Sequence, residues 1–174
     1  MKKIINPWIG TEGYNCFGCA PNNEWGVKME FYEDGDDIVS YWQPDERFQG
    51  WHNTLHGGIQ ATLLDEICGW VIIRKLQTAG VTSRMDTRYK KPVYTTDKRI
   101  TLRAHITEQR RNIVTVEASL FNEAGEECTH AVCTYFAFPP EKAHKEMHFE
   151  HCKTEDEQPP IRYDKMTSST LQKE

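Results

Sequence analysis

The sequence predicts an α+β protein in which one antiparallel sheet wraps a single long buried helix. Three observations lead there. Residues Gly57 to Gln77 form an almost wholly apolar run that opens on two glycines, and a helix hydrophobic nearly all round belongs inside a fold. Four segments rich in Thr, Val, Ile, Tyr and Phe follow it: Val81–Tyr89, Arg99–Glu108, Asn112–Asn122 and Glu127–Phe138. Two shorter strand-like segments precede it, joined through Glu33-Asp34-Gly35-Asp36-Asp37, a run of turn formers.

Length and composition agree with one globular domain. A chain of 174 residues, 38% hydrophobic and 11% aromatic, buries a sizeable core. Its net charge of -5 argues against a generic nucleic-acid binder, whose domain would be basic. No stretch approaches the roughly 20 apolar residues of a membrane span, and Met1–Pro7 lacks the apolar run of a signal peptide. A soluble cytoplasmic protein with no nucleic-acid or membrane partner is expected. Its six cysteines are then expected to be reduced thiols.

In chain order, residues 1–25 read as a turn-rich segment packed on the domain. They contain Cys16-Phe17-Gly18-Cys19, a spacing that invites zinc or redox chemistry. Zinc wants about four ligands and no second pair of comparable spacing follows, so two semi-buried thiols in a packed turn are expected and no metal is assigned. The main domain spans 26–140. Val27, Met29 and Phe31 alternate with Lys28 and Glu30, the mark of a half-buried strand, and Ile38–Trp42 completes a hairpin. The loop Pro44–Thr54 carries Phe48 and Trp51, which pack on the core edge or line a pocket. Gly80 is the expected helix stop. Arg110-Arg111-Asn112 and Asn122-Glu123-Ala124-Gly125 connect the later strands, and Pro139-Pro140 ends the last one. Residues 141–174 read as a short helix with His144, His148 and His151 roughly on one face beside Cys152, then a weakly ordered tail from Thr154.

The helix mouth is where chemistry concentrates. His56-Gly57-Gly58 lets a ligand come close to free amides whose dipole favours negative charge. Asp65 and Glu66 lie beyond it in apolar surroundings. Successive helix residues point about 100° apart, so only one of the two is expected to face a given pocket.

These residues carry a resemblance. His56-Gly57-Gly58 with Asp65 nine residues after the His, then Gly80-Val81-Thr82 and Tyr89-Lys90-Lys91-Pro92-Val93, preceded by Cys16-Phe17-Gly18-Cys19, Asn23 and Gly26, resemble the hotdog-fold acyl-CoA thioesterases, in particular the PaaI-like group. The resemblance spans about Cys16 to Phe138. It implies a hotdog fold, an acyl-CoA substrate with no cofactor beyond the coenzyme A of that substrate, and a homodimer or dimer of dimers. By it the Gly57 amide serves as oxyanion donor and Asp65 as general base or nucleophile. Thr82 is then positioned to orient the water or the acid, and His56 to orient the thioester. Gly58 and Asn53 fall at substrate-binding places, and Lys90, Lys91, Arg110 and Arg111 are candidates for the phosphates of coenzyme A. The chain departs from the pattern at Gly50, where relatives often carry Asn or Gln, and at Asn53, where they commonly carry Gly.

Gly57 and Asp65 are eight residues apart, about 12 Å along one helix. Both ought to lie within about 3 Å of the reacting atoms, or one water away. If both act on one carbonyl, they come from different subunits. The alternative function is a non-catalytic acyl-CoA or acyl-carrier binding protein. A hotdog hydratase is disfavoured by the continuous helix between His56 and Asp65.

Overall fold

In the computed structural model, which describes residues 1–157, the buried helix α1 spans Gly57–Leu76. It buries Leu63, Leu64, Ile67, Cys68, Trp70, Val71 and Ile72, positions spread over more than one face, as its sequence requires. It stops because Gln77 takes a left-handed conformation at φ 51°, three residues before the expected signal. Gly80 instead opens the next strand, where a Cβ would meet the Phe136 carbonyl at 3.0 Å.

Seven strands form one antiparallel sheet: β1 (Lys2–Lys3), β2 (Tyr32–Asp34), β3 (Asp37–Trp42), β4 (Gly80–Tyr89), β5 (Ile100–Arg110), β6 (Ile113–Phe121) and β7 (Glu127–Ala137). The order is β1-β2-β3-β5-β6-β7-β4, and α1 packs against β3 to β7. This is the predicted α+β layout of a sheet around one helix. Strands β5, β6 and β7 alternate buried and partly exposed residues, for example Leu102 and Ala104 against Thr101 and Arg103, because one face meets α1. β4 is the edge, and its residues from Val81 to Arg84 are all exposed.

The expected first strand is corrected. Val27, Met29 and Phe31 are buried and Lys28 and Glu30 exposed, as the alternation requires. The sheet strand, however, begins only at Tyr32. Lys28 is left-handed at φ 54°, and the amides of Val27 and Met29 donate to the carbonyls of Phe17 and Gly18. The segment therefore pairs with the N-terminal turns rather than with the sheet.

Those turns close the flank of α1. Phe31 stacks on Trp70 with centroids 4.5 Å apart, Trp8 meets Trp70 edge-on, and Trp8 Nε1 donates to the Met147 carbonyl. The second helix α2 spans Pro140–Met147 and ends at His148, left-handed at φ 52°. The expected tail is ordered at its start: Thr154 is buried and bridges Ile4, and Glu155–Glu157 form a 3-10 turn. The rest of that expectation, residues 158–174, lies outside the described residues.

An ionic knot joins β2, α1 and this returning segment. Glu33 accepts from Arg74 at 2.8 Å and from Lys75 at 2.6 Å, while Arg74 also binds Glu157 and the Cys152 carbonyl. Burial pushes the Glu33 carboxyl up, and the two cations outweigh that and hold it below its ordinary value. A depressed folded value stabilises the protein above the unfolded value of 4.5 and is lost as pH falls through the folded one. Urea unfolding followed from neutral pH into acid is expected to show a shallower loss of stability for Glu33→Gln than for wild type. Parallel pH profiles for the two would remove Glu33 from the acid response.

Candidate functional site

His56 caps α1 with its side chain: Nδ1 accepts from the Gly58 amide at 2.9 Å. The amides of Ile59 and Gln60 donate to the His56 carbonyl. Among the described residues no acceptor takes the Gly57 amide, so it is the donor left at the helix mouth. Gly58, expected at a substrate-binding place, is not among the residues lining the helix-mouth cavity, and its amide donates to His56.

This mouth opens on a cavity of about 740 Å³ lined by Gly50, Trp51, His56, Gly57, Tyr89 and Lys90 among others, with Lys91 and Pro92 at its edge. Tyr89 Oη donates to the Gly57 carbonyl at 2.9 Å, a contact that was not foreseen and that holds the helix start to β4. Of the two loop aromatics, Phe48 packs on Trp42, whereas Trp51 is 85% exposed at the cavity. Gly50 has a packing reason: a Cβ there would lie 3.2 Å from His56 Cδ2. Asn53 does not line this cavity. It is left-handed at φ 57°, and its carbonyl accepts from Thr95. A conformation that favours glycine, with Asn the next best residue, makes it a turn former.

Asp65 sits elsewhere, on a second cavity of about 490 Å³. Thr82 Oγ1 donates to Asp65 Oδ1 at 2.6 Å, and Tyr135 Oη lies 2.9 Å from that same oxygen and 2.7 Å from the Asp65 carbonyl. Thr82 and Tyr135 face each other across β4 and β7, so one rung of the sheet supplies both donors. Oδ2 accepts from none of the described residues. Burial first, then the neighbouring Asp65 charge, push the Tyr135 hydroxyl well above its ordinary value, so it donates throughout the physiological range. Tyr135 was missed in the sequence, where only its inward register in the last strand, two residues after Cys133, marked it.

Glu66 corrects another expectation, because it lines the same cavity as Asp65. The two carboxylates diverge by about one helical step yet border one hollow that curls around the flank of α1. Asp65 meets β4 and β7, whereas Glu66 meets Trp70 Nε1 at 3.1 Å and the Cys16 thiol at 3.6 Å. The Cys16 and Cys19 sulfurs are 3.3 Å apart. The Cys16 thiol is lowered to about 7, first by its hydrogen bond from Cys19, with help from the amides of Cys19 and Gly18 against burial and Glu66.

The four candidate cations do not converge. Lys90 and Lys91 flank the helix-mouth cavity and pair with Glu127 and Glu126. Arg110 ends β5, and its partner Ile113 lies in register with Phe136 and, through it, Val81. Arg110, with Arg111 in the following turn at φ 56°, therefore lies at the end of the sheet that carries Thr82, opposite Tyr89. His144 and His148 line a further hollow beside Asn6 and Pro7.

Residues 52–129 match the family model described as the thioesterase superfamily. Curated protein sequences give no match. Among solved structures, a thioesterase superfamily protein is similar with a TM-score of 0.62 and 21% identity, over 67% of this chain and 57% of that one; this chain thus spans little more than half of its length. A hypothetical thioesterase protein with coenzyme A from Streptococcus pneumoniae gives a TM-score of 0.60 and 25% identity, over 64% of this chain and 87% of that one. A Streptococcus mutans protein bound to acetyl-CoA gives 0.62 and 18%, over 74% and 96%.

The capping role of His56 has a measurable consequence. His56→Ala is expected to lower stability by about 1 kcal/mol, as loss of a helix N-cap does, while His56→Asn restores most of it. The midpoints of urea unfolding test this; an unchanged midpoint for His56→Ala would show that the Gly58 amide does not depend on the imidazole.

Proposed function

We propose that this chain, a hotdog-fold protein whose residues 52–129 are of the thioesterase superfamily, hydrolyses an acyl-CoA or similar thioester at a site completed by a second copy of itself. The observation that carries the reading is the Asp65 carboxylate on a cavity, fixed through one oxygen by Thr82 and Tyr135 while its other oxygen accepts from none of the described residues. The resemblance of the motif residues to the PaaI-like group, and neighbours solved with coenzyme A and acetyl-CoA, support the substrate class.

In this reading Asp65 Oδ2 takes a proton from water as the oxygen attacks the thioester carbon. The carbonyl oxygen becomes an oxyanion, which the unpaired Gly57 amide stabilises. Collapse breaks the C–S bond, and the proton passes from Asp65 to the departing thiolate. Direct attack by Oδ2, giving an anhydride that water then opens, uses the same residues.

Asp65 and Gly57 border different cavities, which supports a shared site built from two chains. The edge strand β4 suggests how they meet. It is ten residues long and, among the described residues, unpaired on one side, and such an edge invites another strand. Antiparallel pairing of two β4 strands about a twofold axis brings a second helix mouth toward the Thr82 end of the first chain. Lys90 and Lys91 are then proposed to meet coenzyme A phosphates at the helix mouth, with Arg110 and Arg111 approaching from the partner's side.

Asp65→Asn is expected to lower kcat for thiol release from a panel of acyl-CoAs by roughly 10²- to 10⁴-fold. Thr82→Ala and Tyr135→Phe are expected to cost roughly 10- to 100-fold through misorientation. Coenzyme A ester binding without release by wild type would select the binding-protein reading. Full activity in Asp65→Asn would remove Asp65 from the chemistry.

Mixing tests the shared site. Asp65→Asn combined with Gly57→Pro, each inactive alone, is expected to regain part of the activity, since one of the two sites in a mixed dimer is intact. No recovery in a mixture shown by mass spectrometry to contain heterodimers would confine the site to one chain.

A further inference from the structure

Cys16, Cys19 and Glu66 converge on the flank of α1, and their ligand atoms all lie within 4.8 Å of one another. The catalytic reading above uses none of them. A tetrahedral zinc ion with Zn–S near 2.3 Å and Zn–O near 2.1 Å needs sulfurs about 3.8 Å apart and each sulfur about 3.6 Å from the oxygen. The Cys16 sulfur lies 3.3 Å from that of Cys19 and 3.6 and 3.9 Å from the two Glu66 oxygens. The distances from the Cys16 sulfur thus stand within about half an ångström of a zinc coordination shell, and the Cys19 sulfur lies within 4.8 Å of Glu66. We propose that Cys16, Cys19 and Glu66 bind one thiophilic divalent cation of the zinc class, with its fourth position open to the cavity that Asp65 also lines.

The surroundings of each ligand favour this over three groups that merely touch. Gly18 gives Glu66 its place: a Cβ on Gly18 would lie 2.1 Å from Glu66 Cδ. Trp70 Nε1 donates to Glu66 Oε1, which fixes the carboxylate and leaves Oε2 for the ion. Asn6 Nδ2 donates to Tyr14 Oη at 2.7 Å, so the Tyr14 hydroxyl proton is free for the Cys19 sulfur, 2.9 Å away. Donors of this kind around thiolate and carboxylate ligands are what a metal site requires of its outer shell.

Binding releases two protons: M²⁺ and two thiols give a bis-thiolate complex, and with the carboxylate the site carries a net charge of −1. The ion would tie the turn at residues 16–19 to the middle of α1, joining parts of the chain 50 residues apart. That fixes the wall of the cavity facing Asp65. This proposal does not rest on the thioesterase reading, and its test reads metal rather than turnover.

Reduced, metal-free full-length protein is titrated with Co²⁺ and then Zn²⁺. Expected is one equivalent of Co²⁺ per chain with a sulfur-to-cobalt charge-transfer band and intense tetrahedral d–d bands, displaced by Zn²⁺. In wild type, Zn²⁺ should protect Cys16 and Cys19 from alkylation relative to the reduced metal-free protein, read by peptide mass spectrometry. Cys16→Ser and Cys19→Ser should abolish the charge-transfer band or halve it, and Gly18→Ala and Glu66→Gln should weaken binding at least tenfold. Absence of thiolate-ligated cobalt, alkylation of Cys16 and Cys19 unchanged by zinc, or binding that survives both serine variants would overturn the proposal. So would a protein isolated with a Cys16–Cys19 disulfide that, once reduced, takes up no metal.

Discussion

A helix packed between a sheet and the N-terminal turns brings each half-buried carboxylate it carries against other parts of the fold, where a charge withdrawn from water is costly unless it finds donors. α1 carries two adjacent ones, Asp65 and Glu66, among Leu63, Leu64, Ile67 and Cys68. The rest of the molecule can be understood as answering that demand. β4 and β7 answer for Asp65 with Thr82 and Tyr135. The N-terminal turns answer for Glu66 by folding Gly18 against it and placing Phe31 and Trp8 on Trp70, whose indole nitrogen it accepts. The two answers differ in kind. Asp65 keeps one oxygen that accepts from none of the described residues, whereas Glu66 meets the Trp70 indole and the Cys16 thiol.

The same helix separates the two ends of any reaction it serves. Its first free amide and its Asp65 carboxylate belong to different cavities because two helical turns lie between them. An exposed edge strand runs along that interval, from Thr82 near one cavity to Tyr89, which grips Gly57 at the other. A sheet that closed this edge within one chain would leave the halves of the site apart. In the proposed dimer a second chain meets β4 at this edge, which is a liability in a lone monomer.

Much of the fold was legible in the sequence, because the signals were long and periodic. The apolar run of α1 and the four later strands match the sequence expectation to within two residues at each end. What was not legible depended on partners far away in sequence. Val27 to Phe31 has perfect strand alternation, yet its backbone bonds go to Phe17 and Gly18, which no local pattern announces. Gln77 ends α1 in a conformation usually given to glycine, so the stop comes from a residue other than the visible Gly80. At the site, Asp65, Thr82 and Gly57 were named from their motif positions, and Asn53 was given a binding place that its left-handed turn geometry does not support. Tyr135 carried no motif, and only the β4–β7 register reveals it opposite Thr82.

The cysteine pair shows the same limit from the other side. Counting ligands along the sequence finds two thiols at metal spacing and no second pair, and on that count a metal is rejected. Such a count does not see the third group of the proposed site, which is not a cysteine and does not lie nearby: it is Glu66, fifty residues on, brought in by the packing of residues 16–19 against α1. The rule that adjacent helix residues diverge led the sequence reading to discount Glu66 once Asp65 was chosen. Divergence is what lets one short stretch of helix serve two neighbours at once, a carboxylate toward the sheet and another toward the thiols. Whether a buried acid is idle is therefore decided by what the fold lays against each face of its helix, and here both faces are occupied by donors and ligands rather than by apolar side chains alone.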